Sequence, residues 1–348
     1  MTSRLTIDLG ALAQNYRTLC DAASPSDCGA VVKADGYGLG AREVALRLAA
    51  EGCTTFFVAS IAEGIALRDV IDTPEIYLFD GVNDIEAPRA ADYDLVPVIN
   101  SDEQLDAWRP YRSRPIAVHV DTGMNRLGFA VEDALPARFD GFDIALLMTH
   151  LACADEPHNP LNALQIERFD AVRARFAGVA TSIGNSAGTL LGAAYRGDVC
   201  RPGIALYGGN PFLEGANPLK TVATLEAPIL QLRWVPPNEP VGYGATGVAD
   251  KRRLVAVVAA GYADGIPRAL SGHGYVALVG AGVPIIGRVS MELITIDVTG
   301  IAGAVAVGDW VELVGAQVPV DDVAELAGTN SYEVLTGLGS RSERRYIG

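Results

Sequence analysis

The segment Val31-Val32-Lys33-Ala34-Asp35-Gly36-Tyr37-Gly38-Leu39-Gly40-Ala41 sets a lysine at the end of an apolar run, ahead of a glycine-rich turn and a helical pattern. Three readings compete for it. A lone lysine at a strand end ordinarily lays its stem on apolar surface and gives its amine to solvent. Gly36, Gly38 and Ala41 also fit the G-x-G-x-x-A spacing of a dinucleotide loop. That loop expects an acidic residue about 20 positions on, at the end of the next strand. The next strand ends Val58-Ala59-Ser60, without a carboxylate, so the dinucleotide reading weakens. In the third reading the amine is a nucleophile, placed at a strand mouth to form a Schiff base with a carbonyl. Elsewhere the residue types promise less. Cys153, Asp155, Glu156 and His158 lie close together but match no metal-ligand spacing and read as a solvated loop, so no metal is expected. His273 sits between two glycines as a turn residue, and there is no Gly-x-Ser-x-Gly elbow.

The elements that must position Lys33 alternate. Short apolar runs at 30–33, 56–60, 76–80, 95–99, 116–121, 144–149, 179–183 and 198–201 read as strands. Helical patterns at 41–51, 61–70, 101–108, 161–176 and 186–195 lie between them. That alternation implies a parallel sheet, and eight strands point to a closed (β/α)8 barrel, with an open doubly wound sheet as the rival. In a barrel, Arg201 stands at the mouth of the eighth strand. Asn185 and Ser186 follow the seventh, and Gly203 and Ile204 follow the eighth. Loops at those two places commonly bind phosphate through helix N-termini and backbone N–H groups. Ser186 also reads as a plain N-cap, which does not prevent it from binding phosphate. Near Lys220 the pattern changes to β-branched runs at 221–232, 254–260, 275–279, 284–286, 293–298 and 309–314, broken by Gly and Pro, with one helical stretch at 320–327. The expected organisation is an α/β barrel over 1–219 and a β-rich domain over 220–348.

Composition bounds the function. The 348 residues are 49% hydrophobic and 20% charged, a folded composition, and long enough for two cores. Lys and Arg number 27 against 42 Asp and Glu, a net charge of −15 that disfavours nucleic-acid and membrane-surface partners. No apolar run approaches the roughly 20 residues that span a bilayer. The start, Met1 to Leu9, lacks a secretory pattern, and five cysteines without CxxC spacing suit a reducing compartment, so a cytoplasmic protein is expected.

The motif Val32-Lys33-Ala34-Asp35-Gly36-Tyr37-Gly38 resembles the cofactor-lysine motif of the alanine racemases, which use pyridoxal 5′-phosphate (PLP). Further similar motifs follow in order: Asp121 to Gly128, Met148-Thr149-His150, Gly184-Asn185-Ser186, Arg201 to Gly208, Gly242 to Thr246, Gly261 to Gly265, Gly287 to Met291 and Arg341 to Tyr346. The resemblance spans nearly the whole chain and implies a fold-type III barrel followed by a β-rich domain. It implies that Lys33 carries PLP and serves as one base, with Tyr243 as the base on the opposite face. Racemisation removes a proton from one face of a carbon and returns one to the other, so two opposed bases suit it. A tyrosine needs nearby positive charge to work near neutral pH, and His150 and Arg201 are the candidate suppliers. The resemblance sets Arg201 on the pyridine nitrogen, where a guanidinium donates without giving up its proton. Tyr37, Asn185, Ser186, Gly203 and Ile204 would hold the phosphate. Arg126, Tyr262 and the Met291 N–H would line the substrate pocket, the last two from a partner chain, with Arg268 supporting Arg201.

Departures from the family pattern accompany the matches. Many members carry a lysine, often carbamylated, two positions before the Asp-Thr-Gly-Met run, where this chain has His119. Glu292 replaces a common aspartate, Ser290 a frequent cysteine, and Ser340 an occasional tyrosine. The function implied is interconversion of L- and D-alanine by a homodimer with shared sites, supplying D-alanine for peptidoglycan. The alternatives are a broader amino-acid racemase, for serine among others, or a non-catalytic PLP-binding barrel.

Overall fold

The computed structural model describes residues 2–348, which divide into two compact units. One comprises Leu12–Leu206 and Asn210–Leu219. The other comprises Lys220–Gly348, Tyr207–Gly209 and the chain up to Ala11. The division near Lys220 is where the pattern changes, but the beginning of the chain departs from the expected 1–219 barrel. Arg4–Asp8 pairs parallel with Glu343–Ile347 and antiparallel with Ala223–Val235, in the sheet of the second unit. The reason lies in its alternation: Leu5 and Ile7 are fully buried while Arg4, Thr6 and Asp8 are half-buried, the pattern of a strand with one face on a core.

In the first unit seven strands form one continuous parallel sheet: Ala30–Val31, Thr55–Val58, Glu75–Leu78, Val96–Ile99, Pro115–Asp121, Asp143–Met148 and Ala180–Ser182. The eighth position is the short strand Val199–Cys200, parallel to Asp27–Cys28. Asp198 N donates to Thr181 O and Arg201 N to Gly184 O, each at 2.7 Å, so backbone bonds carry the ring from the seventh position to the eighth. From there Val31 N donates to Pro202 O at 2.9 Å and closes it. Each of the eight strand positions read from apolar runs holds a strand, usually one or two residues shorter than the run. The runs overshoot because apolar residues continue into the mouth loops, beyond the last ladder bond.

The helices begin where the side chains allow. Ser60, Ser101, Asn159 and Asn185 cap the helices Ile61–Arg68, Asp102–Trp108, Pro160–Arg173 and Ser186–Leu191, each accepting from a backbone N–H of the first turn. In the second unit, Ala223–Val235 is the central strand. Its first half pairs with Arg4–Asp8 and Trp310–Val314, and its second half, beyond an irregularity at Ile229/Gln231, pairs with Arg253–Val258. The stretch read as a strand at 284–286 differs: the strand is Ala281–Pro284, and the glycines at 280 and 282 flank its first residue rather than break the sheet.

Candidate active site

Lys33 follows the first barrel strand and opens a turn wound in the left-handed sense. Ala34, Asp35, Gly36 and Tyr37 have φ of 53°, 54°, 62° and 56°. Such angles cost roughly 1–2 kcal/mol for each residue with a Cβ. The turn is held from outside: Glu63 Oε1 accepts from Ala34 N at 2.7 Å, and Asp35 Oδ1 from Ala41 N at 2.9 Å. The second bond sets the chain's own carboxylate on the first N–H of the helix Ala41–Ala50, which weighs further against the dinucleotide reading. The Lys33 amine lies 5.8 Å from the centre of the Phe79 ring. Burial, then the nearby Arg126 charge, push the amine below its ordinary pKa. A lysine so placed spends more of its time as the neutral nucleophile.

Tyr37 packs against the loop after the eighth strand. A Cβ on Gly203 would stand 2.1 Å from the Tyr37 hydroxyl oxygen, so only glycine fits beneath the ring. Ser186 Oγ accepts from Gly203 N at 2.8 Å and from Ala205 N at 3.2 Å. Both of its acceptor positions are used, and its O–H is left to donate. Asn185 Oδ1 is engaged as a cap on Gly188 N at 2.9 Å. In the two loops that the sequence singles out, these side chains and N–H groups divide into those already bonded and those free to donate. Gly203 N–H and Asn185 Oδ1 build the cradle, while the Ser186 hydroxyl and the Ile204 N–H, at the start of the turn Ile204–Tyr207, are the groups suited to an anion.

Arg201 is only 2% exposed. Its guanidinium donates to Ser182 Oγ, to Thr149 O at 2.7 Å and to Ile183 O at 3.4 Å. Among the described residues no carboxylate pairs with it. Burial lowers its pKa to about 10, which leaves it a cation at neutral pH. An uncompensated buried charge is expensive, and strongly perturbed groups of this kind cluster at functional sites. Its bonds come from barrel groups alone, and Arg268, expected to support it, belongs to the other unit. His150 adjoins this cation; burial first, and then the Arg201 and Arg126 charges, keep its imidazole neutral.

Arg126 is exposed, on a loop anchored by Asp121, whose carboxylate accepts from the N–H groups of Gly123, Met124 and Arg126 at 2.8–3.0 Å. His119 stands near the mouth of the same strand, Pro115–Asp121. Its Nδ1 is 2.8 Å from Asn100 Oδ1. The Asn100 amide nitrogen faces Phe79 O and Val98 O, which can only accept, so Oδ1 is the acceptor and His119 Nδ1 carries the proton. Burial, and after it Arg201, lower the His119 pKa to about 4. His119 is thus a neutral imidazole with Nε2 as a lone-pair acceptor. Sequence reasoning missed Asn100 and Gln104, which orient it, and Glu63. Only Glu63 had a signal, the Ser60-x-x-Glu63 capping box.

In the second unit Tyr243 begins the turn Tyr243–Ala245, between Gly242 and Gly244 at φ of 78° and 70°, and is 73% exposed. Tyr262 N donates to Ser290 O and Ala263 N to Met291 O, each at 3.0 Å, which brings the Tyr262 and Met291 segments together. Both side chains are exposed. Glu292 forms an ion pair with Arg341 at 2.7 Å. Among the described residues no group of three or more His, Cys, Asp or Glu side chains is placed to hold a metal ion, and no helix is long and apolar enough to cross a membrane.

Residues 7–211 match the family model "Alanine racemase, N-terminal domain", and residues 222–346 match "Alanine racemase, C-terminal domain". The chain belongs to the alanine racemase family. It is 43% identical to the biosynthetic alanine racemase of Agrobacterium fabrum, over 99% of this chain and 93% of that one. Against the alanine racemase of Rhizobium meliloti the identity is 44%, over 100% and 97%. Among solved structures, the alanine racemase of Bartonella henselae with covalently bound pyridoxal phosphate superposes with a TM-score of 0.95 at 36% identity, each chain fully covered. The biosynthetic alanine racemase of Pseudomonas aeruginosa gives 0.93 at 34%, over 100% and 99%.

Proposed function

We propose that this alanine racemase holds PLP on Lys33 and interconverts L- and D-alanine with Lys33 and Tyr243 as opposed bases. The residues fit the cofactor. A glycine floor under Tyr37, the Ser186 hydroxyl and the Ile204 N–H suit a phosphate, and the buried Arg201 suits the ring nitrogen. When bound, PLP supplies an electron sink for the charge left on the substrate carbon. The chain's part is to place groups around that carbon. Lys33, biased toward its neutral form, takes or returns the proton on one face. Arg126, exposed and free of carboxylate partners among the described residues, binds the substrate carboxylate. Arg201 donates to the ring nitrogen without protonating it, which limits charge withdrawal and keeps the carbon basic enough to regain its proton.

Tyr243, Tyr262 and Met291 complete the site from a second copy of the chain, in a head-to-tail homodimer. All three side chains are exposed on the single chain, which leaves them available to a second copy. The enzyme works in the cytoplasm, where its product D-alanine supplies peptidoglycan synthesis. The observation that carries the reading is Arg201, a buried cation without a carboxylate, among residues that match the family from end to end. Borohydride reduction of the holoenzyme tests it. The cofactor mass should be fixed on the peptide bearing Lys33; attachment to another lysine, or none, overturns the reading.

A further inference from the structure

Glu63 does more than a helix cap requires. It is the third residue of the helix Ile61–Arg68 and forms a capping box with Ser60, whose Oγ accepts from Glu63 N at 3.4 Å. In such a box the glutamate side chain reaches back to the N–H of the cap residue alone. Here that bond, from Ser60 N to Glu63 Oε2, is the longest of three, at 3.3 Å. Shorter ones come from Ala59 N to the same oxygen at 2.8 Å and from Ala34 N to Oε1 at 2.7 Å. One half-buried carboxylate thus joins the ends of two paired barrel strands, Ala30–Val31 and Thr55–Val58.

Lys33 lies inside that junction. The residue before it is held by the bond from Val32 N to Phe57 O at 2.9 Å, and the residue after it by Glu63. The left-handed turn has bonds of its own, from Gly36 N to Val32 O at 2.9 Å and from Gly38 N to Ala34 O at 2.8 Å. Neither uses the Ala34 N–H, whose acceptor is Glu63.

We propose that Glu63 is a positioning residue for Lys33, its carboxylate fixing the turn so that the amine stays at the strand mouth. The inference rests on Lys33 as the lysine that carries PLP. A carboxylate is needed because N–H donors arrive at both of its oxygens. A glutamine offers one acceptor oxygen and an NH2 group, so one of the two strand ends would meet donor against donor. A purely capping role makes a different demand: losing the Ser60 hydroxyl would matter as much as changing Glu63.

The test is relinking of PLP to the full-length apoenzyme, followed by visible absorption and by borohydride fixation on the peptide bearing Lys33, with urea midpoints measured alongside. At saturating PLP, Glu63→Gln should link about ten- to a hundred-fold more slowly than wild type, and Glu63→Ala more slowly still. Ser60→Ala, which breaks the other half of the box and spares the Ala34 bond, should lower the urea midpoint yet link at the wild-type rate. Glu63→Gln as fast as wild type, or Ser60→Ala as slow as Glu63→Gln, would overturn the proposal and leave Lys33 in its role. Fixation of PLP on another lysine of the wild type would instead overturn the Lys33 assignment, and the proposal with it.

Discussion

Gly203→Ala isolates the cofactor cradle. Gly203 does not have a left-handed backbone, so alanine is tolerated by its φ and the whole cost lies in packing. The new Cβ would sit 2.1 Å from the Tyr37 hydroxyl oxygen, 2.8 Å from Cζ and 3.4 Å from Cε2. Tyr37 is 6% exposed and rides on the left-handed turn, so the ring cannot swing into solvent without disturbing Lys33. Overpacking of this kind costs about 1–3 kcal/mol. Charged wholly to cofactor binding, that is roughly a 5- to 160-fold weaker PLP affinity, read by titrating the apoenzyme and following visible absorption. Tyr37→Ala removes the obstruction, so adding Gly203→Ala to that background should cost little, with a coupling of about 1 kcal/mol or more between the two sites. Equal losses in both backgrounds, or wild-type PLP affinity in the single variant, would refute the packing argument.

Three further outcomes are expected. Arg201→Glu should lower racemisation and bring out a new long-wavelength absorption of the bound cofactor, because a carboxyl exchanges a proton with the ring nitrogen where a guanidinium does not; an unchanged spectrum and rate would remove Arg201 from that atom. His119, at about 4 when folded and 6.5 when unfolded, binds more protons unfolded between those values, so its share of stability falls as pH drops through that window. The loss between pH 7 and pH 5 is about 2 kcal/mol, and urea midpoints should show His119→Gln to be less acid-sensitive by that order. Lys33→Ala and Tyr243→Phe homodimers should each be nearly inactive, yet after subunit exchange about half the dimers are mixed, each with one intact site of two, and roughly a quarter of wild-type activity should return. No recovery, with exchange verified, would place both bases in one chain.

The barrel was legible because each strand position is a short apolar run bounded by a helical period, and because Arg201, Ser186 and Gly203 fall at run ends where a barrel puts its mouth. The N-terminal strand was not: five residues, Arg4 to Asp8, alternate too briefly to announce a sheet whose partners, Ala223–Val235 and Glu343–Ile347, lie more than two hundred residues away. Lys33 was legible as a motif, but its left-handed turn was not, since Ala34 and Tyr37 are types that ordinarily avoid positive φ. Likewise His119 stood out by its place beside the Asp121 loop, while its tautomer depends on Asn100, whose amide is oriented by carbonyls of two other segments.

The most direct test of the two-base account is the first turnover of L-alanine in deuterated water. If one base removes the proton and a different one returns it, the D-alanine formed should carry solvent deuterium at its α-carbon almost completely, even at low conversion. Product that keeps a large share of the original hydrogen would mean that a single group performs both transfers, and would contradict the assignment of Lys33 and Tyr243 to opposite faces.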